Sequence, residues 1–423
     1  MRSANNYEVR KVLNQVIRRI HPDARSIKAV DKLIKRINTL LEENNIRAGC
    51  VAGGSYAKGT ILKNDFDIDL FVRFDYSYKE KDKDLSRMLG RVLKPLRPEL
   101  VHGSRDYYQL RRAGLLFEVV PVLRINDYKK AVNVTDMSSL HVAYVKKKLK
   151  KRPGLADQIR LAKQFCKSAR VYGAESYIKG FSGHVLDLLI IHYKGFENLL
   201  MQACVWGSRV IIDSEKHLKD PIKQLNKSKT QSPLIIVDPI QPDRNAAAAI
   251  SREKFGLLKK RAKSFLEKPS PDFFKVKKLS IKELRRKSGD NWLIIAKARP
   301  LKGKKDVVGA KIMKCFEHIS KHLKKYDFKI LESGWEFGQK QSLIYFIIKK
   351  QSLPSTVTVR GPPLKARKNA ARFRSKHKNV FEKNKRLYAK EKREYKQPLK
   401  LVRSLAENDY VKQRVAGIKV KQI

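Results

Sequence analysis

An α+β protein of several domains is what the sequence predicts, on three observations. The first is length: 423 residues, 42% of them hydrophobic, hold several domains of roughly 100–200 residues each. The second is a change of hydrophobic period from helical to strand-like over residues 47–126. The third is a return to helical spacing from residue 140, followed by a second mixed segment after residue 290.

The elements follow in chain order. Val9, Val12, Leu13, Val16 and Ile17 lie on one helical stripe. After the His21-Pro22 break, Ile27, Val30, Leu33, Ile34, Ile37 and Leu41 form another. The runs RAGCVAGGS, FDIDLFVRF, DYYQLRR and LLFEVVPVLRI, separated by turns, predict a small mixed sheet. Helical patterning resumes in LADQIRLAKQFCKSA, HVLDLLIIHYKGFENLLMQACVWG and NAAAAISREKFGLLKKRAKSFLEK, interrupted by PLIIVDPIQPDRN, a strand followed by a turn. WLIIAKARP, VVGAKIMKCFEHISKHLKKY, FKILESGWEFG and SLIYFIIKK then read strand, helix, strand, strand, a ferredoxin-like α+β domain. From Lys365 to Lys400 a basic run is interleaved with Phe373, Phe381, Tyr388 and Tyr395. The expected domains are residues 1–139, 140–266, 267–364 and a basic helical tail at 365–423.

Charge narrows the class of partner. Lys plus Arg number 95 against 41 Asp plus Glu, a net charge of +54, far beyond what solubility needs and attractive to any polyanion. Nucleic acid is the expected partner. A membrane is not, because no apolar run reaches about 18 residues and the N-terminus lacks a signal peptide's apolar core. The protein reads as soluble and cytoplasmic. Cys50, Cys166, Cys204 and Cys315 are far apart with no CxxC pair, so neither a zinc knuckle nor a disulfide framework is expected.

Side chains on a strand alternate faces, so Asp67 and Asp69 point one way and Ile68 and Leu70 the other. Glu118 sits in an equally apolar run. Like charges side by side call for a cation, and hard oxygen donors suit Mg²⁺. Asp67, Asp69 and Glu118 are therefore candidate ligands for two metal ions about 3.5–4 Å apart. An isolated DxD also suits a solvent-facing strand edge; the upstream turn weighs against that. Gly53-Gly54-Ser55 closes a strand and opens Tyr56-Ala57-Lys58-Gly59-Thr60, bringing backbone N–H groups, a hydroxyl and an ammonium to one phosphate cradle.

The combination GGSYAKGTxLxxxxDIDLF resembles the polymerase-β-like nucleotidyltransferases, and later blocks select one branch of them. With FEVVPV, LHVAYV, RLAKQFCKSARVYGAESYIKGFSGHVLDLLI and VDPIQPDRNAAAAI in order, nearly the whole chain resembles archaeal-type (class I) CCA-adding enzymes. The resemblance implies a polymerase-β-like head, a helical central domain, a ferredoxin-like domain and an RNA-gripping tail. It implies template-independent addition of C, C and A to tRNA from CTP and ATP, with Mg²⁺ at two sites or Mn²⁺ in its place. Metal binding would fall on Asp67, Asp69 and Glu118, triphosphate contacts on Ser55, Lys58, His141, Lys163 and Tyr172, and base recognition on Arg244. The family often carries Glu-x-Asp and then Asp, so the first and third carboxylates are exchanged here. Lys58 replaces the usual Arg, a point charge in place of a bidentate fork. The implied partners are the acceptor and T arms of tRNA, with a homodimer left open.

Rival readings are a poly(A) polymerase or oligoadenylate synthetase, which share the cradle and DID motif, and a non-catalytic tRNA-binding protein. The Arg244 block argues against the former and the three carboxylates against the latter.

Overall fold

The computed structural model describes residues 2–22, 24–63, 65 and 67–423, without the side chains of residues 2–6 and 24–27. Phe66 and the side chain of Ile27 lie outside the described residues. The chain forms two compact units, Met1–Lys277 and Lys278–Ile423.

The first unit opens with helices α1 (Arg2–Ile20) and α2 (Ala24–Glu43), then β1 (Ala48–Ala52), the one-turn α3 (Gly54–Ala57), β2 (Asp67–Phe74), α4 (Leu85–Leu93), β3 (Glu99–Val101), β4 (Tyr107–Arg112) and β5 (Leu115–Leu123). The five strands form one sheet in the order β1-β2-β5-β4-β3. Only β2 and β5 run parallel. Ile68, Leu70, Val72 and Phe74 alternate into a core with Val30, Ile37 and Leu41 of α2 and Leu85, Leu89 and Leu93 of α4. Burying each such side chain contributes about 1.5–3 kcal/mol. The opposite face of β2 carries Asp67, Asp69 and Phe71.

The helical half of this unit comprises α5 (Ser138–Lys150), α6 (Leu155–Ser168), α7 (Gly183–Tyr193), α8 (Phe196–Val205), β6 (Val210–Ile212), α9 (Pro221–Gln224), β7 (Leu234–Ile236) and α10 (Arg252–Glu267). Its core joins Ile159 and Phe165 of α6, Leu186 and Leu189 of α7, Leu199 of α8 and Phe265 of α10. Val9, Val12, Leu13 and Val16 of α1 belong to this core and not to the sheet's. An apolar stripe requires burial but does not say against which partner, so the expected 1–139 grouping divides between the two cores.

The second unit contains α11 (Ile281–Ser288), β8 (Trp292–Pro300), α12 (Lys305–Lys325), β9 (Ile330–Glu336), β10 (Ser342–Ile348), β11 (Thr356–Pro363), α13 (Arg367–Lys376), β12 (Val380–Lys383), β13 (Arg386–Lys392), α14 (Pro398–Ala406), α15 (Asp409–Lys412) and β14 (Val415–Gln422). Its main sheet, β14-β8-β10-β9, is antiparallel, in the ferredoxin-like order. The fourth strand comes from the end of the chain, where Leu401, Val402 and Leu405 of α14 pack into the core that holds Ile312 and Ile319 of α12. Residues 365–423 are thus not a free-standing helical tail. Residues 356–392 make a second sheet, β11-β13-β12, with α13 beside it, and the rest completes the first. In β14 a bulge between Val415 and Gly417 breaks the alternation, leaving only Ile418 and Val420 among lysines, so the strand is hidden in a basic stretch.

Candidate active site

Two glycines let the cradle lie close to β2, and a Cβ at the first, Gly53, would come within 2.8 Å of the Phe71 ring. Gly53 donates its N–H to the carbonyl of Asp69 (2.8 Å), drawing the turn against β2. Gly54 has φ of +50° and lies so close to Asp69 that a Cβ would overlap the carboxylate. The turn runs through α3 and closes with the Thr60 N–H on the carbonyl of Ser55 (2.9 Å).

Asp69 and Glu118 are register partners on the parallel strands β2 and β5, so their carboxyls share a face. Asp67, next on that face, is exposed, while Asp69 and Glu118 are half-buried. Gln109 Nε2 donates to Glu118 Oε1 (2.9 Å). The Tyr107 hydroxyl also bonds Glu118; burial and that neighbouring charge push the phenol up to about 12. Burial first, and then the charge of Glu118, push the Asp69 carboxyl up to about 6. Such a face is short of positive charge. A hard divalent cation relieves both causes, so the donor set fits Mg²⁺.

A cleft of about 780 Å³ opens over this face, lined among others by Gly54, Lys58, Asp69, Glu118, His141 and Arg244. Ser55, Asp67, Lys163 and Tyr172 are not among its lining residues. Lys58 Nζ forms an ion pair with Asp187, which is fully buried on α7. Lys163 is also fully buried, its Nζ donating to Thr60 O (3.1 Å) and Thr60 Oγ1 (3.0 Å). Beside it, Arg160 Nε donates to the carbonyl of Ile61 (3.0 Å), so α6 grips the outgoing end of the cradle from behind. Burial pushes Lys163 down to about 8, against the pull of Asp187. Tyr172 is half-buried, its ring 5.2 Å from Lys167 Nζ, and burial raises its hydroxyl above the usual phenol range.

The far wall is built on Asp238, wholly buried just after β7. Its Oδ1 accepts from the N–H groups of Ile240 (2.9 Å) and Gln241 (3.2 Å). Its Oδ2 accepts from Arg244 (2.8 Å). His141 Nε2 lies 3.0 and 3.1 Å from its two oxygens. Burial opposes ionisation of Asp238, but His141 and His184 hold its carboxyl well below the usual range. The sequence reading missed Asp238, His184, Asp187, Tyr107 and Gln109. All five lie inside runs named above, and the signal of the first three is a polar residue in or beside an apolar run.

Three family models match in sequence order: "Nucleotidyltransferase domain" over residues 31–166, "tRNA nucleotidyltransferase, second domain" over 157–275 and "CCA-adding enzyme, C-terminal domain" over 293–422. The CCA-adding enzyme of Nanoarchaeum equitans is 34% identical over 365 residues, 85% of this chain and 88% of that one. That of Methanocaldococcus jannaschii is 28% identical over 412 residues, 95% and 91% of the two chains. Among solved structures, the Cid1 poly(U) polymerase with Mg and 3′-dATP bound aligns with a TM-score of 0.52 at 13% identity, over 63% of this chain and 98% of that one. That likeness is one of fold. The fold generally works with divalent metal ions, and no helix among the described residues is long and apolar enough to cross a membrane. With a relative 34% identical across 85% of this chain and 88% of that one and three family models matching in order, this chain belongs to the CCA-adding enzymes, a family of tRNA nucleotidyltransferases.

Proposed function

We propose that the protein completes tRNA in the cytoplasm by adding C, C and A to its 3′ end from CTP and ATP, releasing pyrophosphate, without a nucleic-acid template. The observation that carries this reading is the cleft that holds an acidic strand face at one wall and an Asp238-anchored Arg244 at the other. Asp67, Asp69 and Glu118 would hold two Mg²⁺ ions, which when bound supply Lewis acidity to the attacking hydroxyl and the leaving phosphate. Tyr107 and Gln109 orient Glu118, and Gly54 leaves room for Asp69. Ser55, Lys58, His141, Lys163 and Tyr172 are proposed to serve the triphosphate, directly or through a neighbour. Lys163 acts from behind the cradle through Thr60, and Lys58 exchanges Asp187 for phosphate.

Arg244 is the proposed base reader. A guanidinium only donates, so it suits the O2 and N3 acceptors of cytosine and N1 of adenine, and disfavours the ring N–H of uracil and guanine. Two-fifths of its side chain is exposed while Asp238 holds one end, so the other donors are free to face the cleft. The net charge of +54 neutralises phosphates of the acceptor and T arms, contacts indifferent to tRNA sequence. With tRNA lacking CCA, wild type is expected to prefer CTP over UTP, and Arg244→Ala to lower that ratio of kcat/KM at least ~10-fold, the loss of about one charged hydrogen bond, with tRNA affinity unchanged. Equal losses for CTP and UTP would remove Arg244 from base recognition.

Lys163 predicts a pH dependence. Its pKa is depressed to about 8, so its charge is present below that pH and lost above it. CTP affinity, measured by equilibrium dialysis without tRNA, is expected to weaken from pH 7 to pH 9. Lys163→Met should bind weakly at both. The same fall with pH in that variant would assign the titration elsewhere.

A further inference from the structure

His141 and His184, on α5 and α7, converge with Asp238 on a point in the cleft wall, with one ligand atom from each lying within 4.8 Å of the others. His141 Nε2 is 3.1 Å from Asp238 Oδ2, and His184 Nε2 is 3.6 Å from the same oxygen. A tetrahedral ion with bonds of about 2.0–2.1 Å sets its ligands roughly 3.3 Å apart, so these separations bracket the edge of such a polyhedron. The two rings meet edge to face at 61° with centroids 4.6 Å apart, so they do not stack against each other. His184 Nε2 is buried and has no hydrogen-bond partner among the described residues. Asp238 is held by the Ile240 and Gln241 amides, which fix the carboxylate as outer-shell groups fix a metal ligand. Both histidines line the cleft.

We propose that His141, His184 and Asp238 form a binding site for a divalent transition metal of the Zn²⁺ and Co²⁺ class, and that its occupation inhibits nucleotide addition. The ligand chemistry separates it from the acidic face: two imidazoles and one carboxylate select a borderline ion, whereas Asp67, Asp69 and Glu118 offer only oxygen and suit Mg²⁺. Inhibition follows from shared atoms. Arg244 bonds the same Asp238 oxygen that faces His184, so an ion there repels the guanidinium, while His141 gives up the nitrogen that faces Asp238. The inhibitory half rests on the functional reading above; metal binding does not.

The test uses the full, metal-stripped chain, without tRNA or nucleotide, titrated with Co²⁺ in excess Mg²⁺ and followed by visible absorption. Wild type is expected to take up one Co²⁺ per chain with a low-symmetry, four-coordinate spectrum. His184→Asn should bind at least ~10-fold more weakly, a lower bound set by what outer-shell losses alone cost, with unchanged circular dichroism. Asp69→Ala should bind as wild type does. Zn²⁺ inhibition of CTP incorporation, normalised to each protein's metal-free rate, should move to higher Zn²⁺ in His184→Asn by the same factor. Equal Co²⁺ affinity in wild type and His184→Asn, or its loss in Asp69→Ala, would overturn the site. Co²⁺ binding as expected with no Zn²⁺ inhibition would overturn the inhibitory role and leave the site standing.

Discussion

Asp69→Ala is expected to lower single-turnover nucleotide incorporation by at least ~10³-fold, the several kcal/mol that metal-held charge stabilisation supplies at a transition state, while tRNA binding stays within about twofold. The separation follows from the charges. RNA affinity comes from the excess of Lys and Arg, whereas Asp69 sits beside Glu118 on a small acidic face that an RNA backbone has no reason to approach without metal. Removing Asp69 leaves Glu118 and Asp67 apart from each other, with no carboxylate bridging them. Asp67→Ala and Glu118→Ala are expected to act in the same direction. The fold should survive, since the side chain is half-buried and its loss relieves like-charge repulsion. A filter-binding isotherm and a quench-flow trace on the same preparation check both halves. Near-normal incorporation would remove Asp69 from the catalytic centre.

Gly54→Ala is expected to be nearly as damaging, though it removes no functional group. At φ of +50° an alanine costs about 1–2 kcal/mol, and its Cβ would overlap the Asp69 carboxylate, so one of the two must move. Gly59→Ala is the control. It has the same kind of backbone, φ of +66°, with nothing within 4 Å of the added carbon. Both variants should lose similar stability, read as a fall in Tm. Gly54→Ala should lose incorporation at least ~100-fold, by the misplacement of a catalytic group, and Gly59→Ala much less. Equal activity losses would mean that backbone strain alone matters and that contact with Asp69 does not.

What the sequence disclosed follows the reach of each physical rule. Strand alternation has a period of two, so the placement of Asp67 and Asp69 opposite Ile68 and Leu70 was legible within four residues. The ferredoxin-like reading of Trp292 to Ile348 was legible for the same reason. Alternation does not tell which strand lies beside which: the parallel pairing that sets Asp69 next to Glu118 spans nearly fifty residues. The partners of Lys58 and His141 were further out of reach, since Lys58 and Asp187 are 129 residues apart and His141 and Asp238 are 97. Asp238 lies only six residues from Arg244, which it holds, but its contact with His141 exists only once α5 is folded against that loop. The last sixty residues misled for a different reason. Their high Lys and Arg content masks the short alternation of β13 and β14, in which Leu387 and Ala389 are fully buried and Val415 nearly so. Composition reported the surface and hid the core.

A chain that builds CCA on tRNA leaves a defined product, which sequencing of 3′ ends reads. Purified protein is incubated with Mg²⁺, all four NTPs and tRNA transcripts ending at the discriminator base, at C, or at CC, and the products are read at single-nucleotide resolution. All three are expected to converge on a terminal CCA and stop there, with no addition when Mg²⁺ is chelated. Homopolymeric A or U tails, or transcripts left unextended by a protein that binds them, would contradict it.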